Sequence, residues 1–503
     1  MKQNVLKFSE DGKTVIGVND SDITHITLPD SVTSIGYGAF SRCSSLKSIH
    51  IPDSVTSIGY WAFYKCISLE SIDIPDSVTD IGGGAFSRCS SLKSIHIPDS
   101  VTSIRRRAFR GCNYLKSIDI PDSVTSIGKQ AFYLCSSLES IDIPDSVTNI
   151  GDGAFYGCSS LKSIHIPNSV TSIEWGAFQD CCSLKSIDIP NSVTSIGDWA
   201  FSGCRSLESI DIPDSMTSIH LTVFNNCSSL KSIHIPSSVT SIERPYGCSS
   251  LESISVDTEN PTYASDNGVL FNKDFSTIVM VPQGKRLEHY IIPDSVTSIE
   301  DEAFSGCSSL ESIDIPDSVT SIGDWAFKDC SSLESILIPN SVTSIGDWAF
   351  WECNSLASIH IPDSVTSIEF GAFCGCSSLE SIDIPNSVKS IGETAFCGCS
   401  SLKSIDIPDS VTTIGRGAFY KCISLESIDI PDNVTSIGYS AFGSCSSLKE
   451  VHLHHKHPND ISVDDDTFDE TSYDNCILFI PSGSRWKYRH HPVFGKFEHI
   501  EIE

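Results

Sequence analysis

The sequence predicts a repeat solenoid, α/β to mainly β, in which coils of 23 residues stack on one another. Cysteine recurs every 23 residues from Cys43 to Cys227 and again from Cys307 to Cys445. Proline keeps the same period from Pro29 to Pro236 and from Pro293 to Pro431. A fixed period of this length is typical of stacked units that bury their apolar faces only against their neighbours. We therefore expect one elongated domain whose function resides on the surfaces of the stack.

Each coil is predicted to begin with a short strand. In one such unit, Ile49 and Ile51 alternate with Ser48 and His50, which is the period of a half-buried strand. Pro52 follows and ends the strand, because proline lacks a backbone donor. Stacking places equivalent strands about 4.8 Å apart, so we expect them to form a parallel sheet.

The rest of the coil is predicted to contain a second extended segment and one helical turn. Val55 and Ile58 lie in a β-branched stretch that suits a short, weaker strand. Phe63, Cys66 and Leu69 follow at spacings of three, as one turn of α or 3₁₀ helix would place inward residues. The repeated cysteine is interpreted as a small buried hydrophobe, and disulfides between adjacent coils are the alternative.

The motifs resemble the leucine-rich repeats of the BspA-like family, also called the treponemal type. The resemblance rests on Leu-x-x-Ile-x-Ile-Pro, the Val-Thr-Ser-Ile-Gly run, Ala-Phe, and the Cys-x-x-Leu that closes each unit, and it covers nearly the whole chain. It implies a right-handed, curved leucine-rich-repeat superhelix with a parallel concave sheet. It also implies surface attachment and adhesion through protein partners, including extracellular-matrix or cell-surface proteins.

Composition narrows the classes of partner. The chain has 33 Lys and Arg against 64 Asp and Glu, a formal net charge of −31, which argues against nucleic acid and anionic membranes. We expect no membrane insertion, because no window approaches about 18 uninterrupted apolar residues. Residues 1–7 lack the apolar core of a signal peptide. The resemblance favours a cell-surface or secreted protein, and the missing signal leaves a cytoplasmic one as the alternative.

The repeat register divides the chain into five parts. Asp11-Gly12 predicts a hairpin in the first part, and residues 268–272 and 277–281 predict another where the period fails. Aromatic residues near the end predict a closing segment, since terminal coils need covers. The parts are an N-terminal cap at 1–22, repeat arrays at 23–242 and 293–450, an irregular coil with a hairpin insertion at 243–292, and a C-terminal cap at 451–503.

Charged residues are predicted on the outward face of the first strands. This face could bind a mixed-charge protein by many weak contacts, or its opposite charges could simply keep a solvated sheet from repelling itself. The candidate binding residues are Lys47, His50, Glu70, Asp73, Lys93, His96, Lys116, Asp119, Lys162 and His165.

Tryptophans cluster near the Ala-Phe pair of several coils. Exposed tryptophan can anchor a partner, and it can equally cover the back of a helical turn, so both interpretations stay open. The candidates are Trp61, Trp199, Trp325, Trp348 and Trp351.

Three patterns could hold a ligand, although we expect no cofactor. The aspartate after each proline, as at Asp53, could bind calcium, but Asn and Ser at equivalent positions favour turn capping by a side-chain oxygen. Cys374-Gly375-Cys376 and Cys397-Gly398-Cys399 could bind zinc or form a disulfide between Cys374 and Cys397. Weak metal candidates are His452, His454, His455 and His457.

The predicted function is a non-enzymatic, monomeric protein-binding scaffold. No phosphate-binding loop, nucleophile elbow or zinc His-Glu-x-x-His motif appears. A catalytic site needs a singular arrangement, whereas nearly every position here is one of many copies. Adhesion or host-surface interaction is the favoured role. An intracellular interaction or structural repeat protein is the alternative.

Overall fold

The computed structural model describes residues 5–503, except for the side chain of Thr471, and confirms the predicted solenoid of stacked coils. Residues 1–4 of the predicted N-terminal cap lie outside the described residues. The chain divides into two compact units on either side of the Pro261–Thr262 bond. In each unit, strands from successive coils pair in parallel, with partners 23 residues apart such as Ile35 and Ile58.

The first unit carries two columns of short strands, one for each extended segment of the coil. A hairpin of Leu6–Phe8 and Thr14–Val18 begins the unit and pairs with its first coil. The first strands are His25–Thr27, Ser48–His50, Ser71–Ile72, Ser94–Ile95, Ser140–Ile141, Ser163–Ile164, Ser209–Asp211, Ser232–Ile235 and Ser253–Val256. The second strands are Ser34–Ile35, Ser57–Ile58, Asp80–Ile81, Ser126–Ile127, Asn149–Ile150, Ser172–Ile173, Ser195–Ile196, Ile219–His220 and Ile242–Glu243.

The second unit repeats the arrangement. Its first strands are His289–Ile291, Ser312–Asp314, Ser335–Leu337, Ser358–His360, Ser427–Ile430, Glu450–Leu453, Ile477–Ile480 and His499–Ile502. Its second strands are Ser298–Ile299, Ser321–Ile322, Ser344–Ile345, Ser367–Ile368, Ser390–Ile391, Thr413–Ile414, Ser436–Ile437 and Ser462–Val463.

A three-stranded antiparallel meander begins the second unit. Val269–Asn272 pairs with Thr277–Met280, as the sequence predicts, and also with the preceding strand Tyr263–Asp266, which the sequence analysis missed. Thr277–Met280 continues in parallel into Ser298–Ile299 of the next coil. Phe271 is fully buried in the core of this unit. The irregular segment therefore extends the stack.

Helices are few and short among the described residues. The 3₁₀ helices are Leu221–Phe224, Pro458–Asp460 and Phe494–Lys496. The α-helices are Glu470–Asn475 and Arg485–Arg489.

The predicted helical turn in each coil is wrong, because the segment from Gly59 to Cys66 and its equivalents form linked turns. Leu221–Phe224 is the exception among the described coils. Tyr64 N donates to Trp61 O at 3.0 Å within the coil, whereas Phe63 N donates to Ala85 O of the next coil at 2.8 Å. Trp61 has the left-handed φ of 58°, which interrupts a right-handed helix. These hydrogen bonds thus alternate between closing turns and joining coils.

The core consists of inward side chains stacked on their own equivalents. Phe40 to Phe224 in the first unit form an unbroken series of stacked rings, with 5.3 Å between the centroids of Phe40 and Phe63. The Cys66 thiol donates to Phe40 O at 3.1 Å, and the equivalent bond recurs along the column. Burial raises the pKa of Cys135 to about 12. These buried cysteines are thiols, as predicted.

The turn-capping interpretation of the aspartate after each proline is wrong at Asp53. Val55 N donates to Pro52 O at 3.0 Å, so the backbone closes this turn. Ser54 Oγ donates to Val32 O of the preceding coil at 2.6 Å. Among the described residues, the exposed Asp53 carboxylate accepts no hydrogen bond that would close this turn. The polar side chain that fixes this corner is therefore the serine that follows the aspartate.

Replacing Phe350 by alanine should lower the free energy of unfolding of the second unit by about 3–5 kcal/mol. Its ring stacks on Phe327 and Phe373, with centroids 5.2 and 5.4 Å away, so truncation leaves a cavity inside the column. Urea denaturation measures the change. The control Ile423→Ala, at an exposed position, should change stability by no more than about 0.5 kcal/mol. Equal losses for the two variants would contradict a core of stacked phenylalanines.

Candidate interaction surfaces

The outward side chains of the first strands form a solvated surface, here called the strand face, with Ser48 and His50 as examples. Both are exposed, while Ile49 between them is buried. The predicted binding residues all lie exposed on this face or its border, namely Lys47, His50, Glu70, Asp73, Lys93, His96, Lys116, Asp119, Lys162 and His165. Parallel pairing brings equivalent positions of successive coils side by side, as with Asp211 and His234.

The residues equivalent to Lys47, at the border of the strand face, form ion pairs between adjacent coils. Lys93 lies 2.7 Å from Glu70, and Lys162 lies 2.8 Å from Glu139. The hydrogen bond and charge of Lys162 hold the pKa of Glu139 below its ordinary value. The same pairing joins Lys231 to Glu208, Lys403 to Glu380 and Lys449 to Glu426. Exposed pairs of this kind contribute little stability, but they neutralise one another across adjacent coils.

The second unit departs from this pattern at its first coils. On the strand face, Ile291 and Leu337 occupy the position that His50 has in the first unit, and they are 65% and 69% exposed. Asp314 lies between them. The sequence prediction did not include these aliphatic residues, because its candidates on this face were the charged side chains of the first repeat array.

Three glutamates border these aliphatic side chains. Glu288, Glu311 and Glu334 occupy the border position of consecutive coils, and Glu311 N donates to Glu288 O at 2.9 Å. All three are exposed, and within residues 5–503 none forms an ion pair. We name Ile291, Leu337 and these glutamates the aliphatic–acidic patch. It combines exposed apolar area with negative charge that no neighbouring lysine neutralises.

The predicted tryptophans separate into one cluster and two single positions. Trp325 stacks on Trp348 with centroids 5.2 Å apart, and Trp351 meets both edge-on. The Trp348 ring lies so close to Gly371 that a Cβ there would clash with it. The ring therefore covers the backbone of the next turn, which is one of the two predicted roles.

The other two tryptophans among the predicted binding residues lie in the first unit. Trp61 covers Gly84 in the same way that Trp348 covers Gly371. It also lines an open hollow of about 440 Å³ together with Tyr37 and Tyr64. Trp199 is exposed on its turn.

The turns of the first unit also carry a basic surface that was not predicted, although the run Arg105-Arg106-Arg107 indicates it in the sequence. Arg105 lies 2.9 Å from Asp80. Burial, followed by the charges of Arg106 and Arg110, lowers the pKa of Arg107. The local charge of these arginine side chains is positive, whereas the net charge of the whole chain is −31.

The four candidate histidines near the C-terminus point to separate partners. In chain order they are His452, His454, His455 and His457. Their partners are the Glu503 carboxylate at 2.8 Å, the Asp429 carboxylate at 2.6 Å, the Val434 carbonyl at 2.7 Å and the Lys487 amine at 3.0 Å. In the part of the chain that the structure describes, no group of three or more His, Cys, Asp or Glu side chains is placed to hold a metal.

The two Cys-x-Cys motifs divide between the inward column and the turn side of the coils. Cys376 and Cys399 belong to the buried column, and their thiols donate to carbonyls of Phe350 and Phe373 at 3.2 Å. Cys374 and Cys397 lie half-buried on the turn side. Within residues 5–503, these four cysteines form no group placed to hold zinc.

Lys162→Met should raise the pKa of Glu139 toward its ordinary value, and an NMR titration of the carboxyl group measures this shift. Lys116→Met is the control, because Lys116 acts on Glu139 through its charge alone and should cause a smaller shift. Since the folded pKa is lowered, the stabilisation by Lys162 is present at neutral pH and disappears as the pH falls through that value. An unchanged Glu139 pKa in Lys162→Met would contradict the pairing.

None of the helices within residues 5–503 is long and apolar enough to span a membrane.

The curated proteins contain no match to the chain. Among solved structures, a leucine-rich repeat protein from Eubacterium ventriosum is 26% identical, with a TM-score of 0.54 over 69% of this chain and 89% of that chain.

Two further solved structures are similar in sequence. A leucine rich cell surface protein from Faecalibacterium prausnitzii is 29% identical, with a TM-score of 0.42 over 84% of this chain and 92% of that one. A leucine-rich repeat protein from Bacteroides ovatus is 30% identical, with a TM-score of 0.36 over 92% of this chain and 97% of that one.

The family comparison covers most of the sequence. The model of the BspA type leucine rich repeat region matches in six copies, at residues 18–139, 79–204, 125–252, 175–278, 283–380 and 366–482. Together with the stacked coils and their parallel strands, this match shows that the chain belongs to the BspA-type leucine-rich-repeat family.

Proposed function

We propose that this chain is a non-enzymatic scaffold that binds a protein partner at the cell surface, in adhesion, through the aliphatic–acidic patch. The observation that carries the proposal is the pair of exposed aliphatic side chains, Ile291 and Leu337, at a strand position that is polar in the neighbouring coils, as at Asp314 and His360. Most residues on this face recur in other coils and are explained by the repeat. Ile291 and Leu337 replace the His or Asp that most other coils have at this position.

The patch has the composition of a protein-binding surface. Exposed apolar side chains gain most when a partner removes them from water, and surrounding polar residues exclude solvent from the contact. Ile291 and Leu337 lie two coils apart, a separation of about 10 Å at the spacing of parallel strands. One short segment of a partner could therefore cover both.

The charges indicate the chemistry of the partner. Glu288, Glu311 and Glu334 place three carboxylates at the border of the two aliphatic side chains. Asp314 lies between these side chains and adds a fourth carboxylate, 3.3 Å from the imidazole of His289. A partner that combines basic and apolar residues complements this arrangement, and electrostatic attraction would speed its association. The strand face of the first unit is a weaker candidate, because several of its border lysines are neutralised by glutamates.

The family resemblance supports the cell surface as the location and an extracellular-matrix or cell-surface protein as the partner. The large negative charge favours a monomer, because like charges repel between copies. Labelling of intact cells with a membrane-impermeant reagent tests the location. Recovery of the protein only in the unlabelled cytosol would support an intracellular scaffold and contradict adhesion.

Leu337→Ser should raise the Kd for a matrix or surface protein about 10- to 30-fold, which corresponds to the loss of about 1.4–2 kcal/mol from one central contact. Biolayer interferometry of the full chain against a panel of purified matrix proteins identifies the binder and measures the change. Glu311→Lys should slow association and weaken the dependence of the association rate on salt.

Two control variants separate the patch from the rest of the strand face. His165→Ser changes the same strand position in the first unit and should leave the Kd within about twofold. The combined replacement of Lys47, Lys93, Lys116 and Lys162 by methionine tests the first-unit border. If the lysine variant abolishes binding while Leu337→Ser binds normally, the partner uses the first unit and the patch proposal is wrong.

A further inference from the structure

Cys374 and Cys397 occupy the same turn position in adjacent coils. Gly375 N donates to Cys397 O at 2.7 Å, and this bond fixes the register between the two coils. In the first unit the same position holds Tyr133 and Tyr156, whose rings stack with centroids 4.6 Å apart. Side chains at this position therefore lie one above the other.

The two thiols interact. Their interaction raises the pKa of Cys374 and lowers that of Cys397, and both side chains are half-buried. Adjacent coils are separated by about 4.8 Å, which falls within the Cα separation of about 4.4–6.8 Å that disulfides require. A bond between the sulfurs therefore needs little movement of the backbone.

The surroundings of Cys397 favour its thiolate. The Cys374 side chain, together with the Lys421 ammonium, lowers the pKa of Cys397 in spite of burial. Burial instead raises the pKa of Cys89 in the inward column to about 12. Because the thiolate is the reactive form of cysteine, Cys397 is the stronger nucleophile at neutral pH.

We propose that Cys374 and Cys397 form an oxidative modification site at which a hydroperoxide converts the two thiols into a disulfide between coils. The Cys397 thiolate attacks the terminal peroxide oxygen, so that an S–O bond forms and the O–O bond breaks. The alkoxide or hydroxide that leaves takes up from solvent the proton that Cys397 released, and departs as alcohol or water. Cys397 is thereby oxidised to a sulfenic acid and the peroxide is reduced.

The second step closes the disulfide. The Cys374 thiol loses its proton and attacks the Cys397 sulfur, so that the S–S bond forms, the S–O bond breaks and water leaves. The sum is two thiols and one hydroperoxide giving one disulfide, one alcohol or water from the peroxide, and one further water. No other oxidant is required.

The inward cysteines and Cys182 provide internal comparisons. Cys376 and Cys399 belong to the same two coils, but they are buried and donate to backbone carbonyls. Cys182 is half-buried like the proposed pair, and its thiol donates to the carbonyls of Asp180 and Gly203. Its position in the turn is different, so it tests whether exposure alone explains oxidation.

The experiment treats the reduced full-length protein with equimolar hydrogen peroxide at pH 7.5 and locates the products by mass spectrometry. Trypsin cleaves after Lys389, which lies between the two cysteines, so the disulfide appears as two joined peptides and fragmentation assigns the sulfurs. We expect one Cys374–Cys397 disulfide and the loss of two thiols per chain. Cys182→Ser should form it to the same extent.

Cys374→Ser supplies the mechanistic test. This variant cannot form the disulfide, so a 1,3-dicarbonyl reagent should trap Cys397 as its sulfenic acid, with labelling at least fivefold above that of the unmutated chain. Circular dichroism verifies that the variant is folded. If both thiols of the native protein stay reduced, or if each is oxidised to sulfinic acid without a cross-link, the proposal is wrong.

Discussion

In-register stacking of equivalent residues is the constraint on which the rest of this structure depends. Each inward residue packs on its own equivalent in the next coil, so one favourable contact is repeated along the unit. Phe304 and Phe327 stack with 5.0 Å between centroids, and later coils repeat the contact. The cysteine beside each phenylalanine is small enough to fit and donates to a carbonyl of the coil before. Apolar packing and hydrogen bonding thus reinforce the same register.

The same constraint determines where binding specificity can reside. A repeated surface offers a partner many equivalent sites, and the alternating border of Lys93 and Glu70 neutralises its own charge. A residue that differs from the repeat consensus occurs in only one or a few coils. Such a residue can therefore define a single binding site. Ile291 and Leu337 on the strand face, and the paired thiols of Cys374 and Cys397, are departures of this kind. The proposed binding and oxidation sites both lie in the second unit, on different sides of its coils.

Much of the fold can be predicted from the sequence period, because the alternation of apolar and polar residues indicates each first strand and the following proline marks its end. The period identifies the first strands, and the cysteines identify the inward column. The helical turn could not be distinguished from linked turns, since both place Phe63 and Cys66 three residues apart. Only the left-handed backbone at Trp61 and the bonds to the next coil separate them. The role of Ser54 likewise depends on a neighbour 22 residues away.

The candidate sites were harder to predict. Exposure of the charged columns follows from strand alternation, but ion pairing between Lys162 and Glu139 depends on how coils align. The aliphatic–acidic patch can be read from the sequence when the strand position of His50 is compared in the second repeat array as well as in the first. The contact between Cys374 and Cys397 depends on side-chain direction within a turn, which spacing alone does not determine. The sequence left zinc binding and a Cys374–Cys397 disulfide open as alternatives, and the structure places two of the four cysteines in the core and two on the turn side.

Thiol labelling of the native, reduced protein tests the stacked register most directly. Eighteen cysteines are buried and three, Cys182, Cys374 and Cys397, are partly exposed. A short exposure to a maleimide, followed by mass spectrometry, should modify only these three, and unfolding in urea should release all 21. Rapid labelling of Cys135 or its equivalents in the folded protein would contradict the inward column and the stacking built on it.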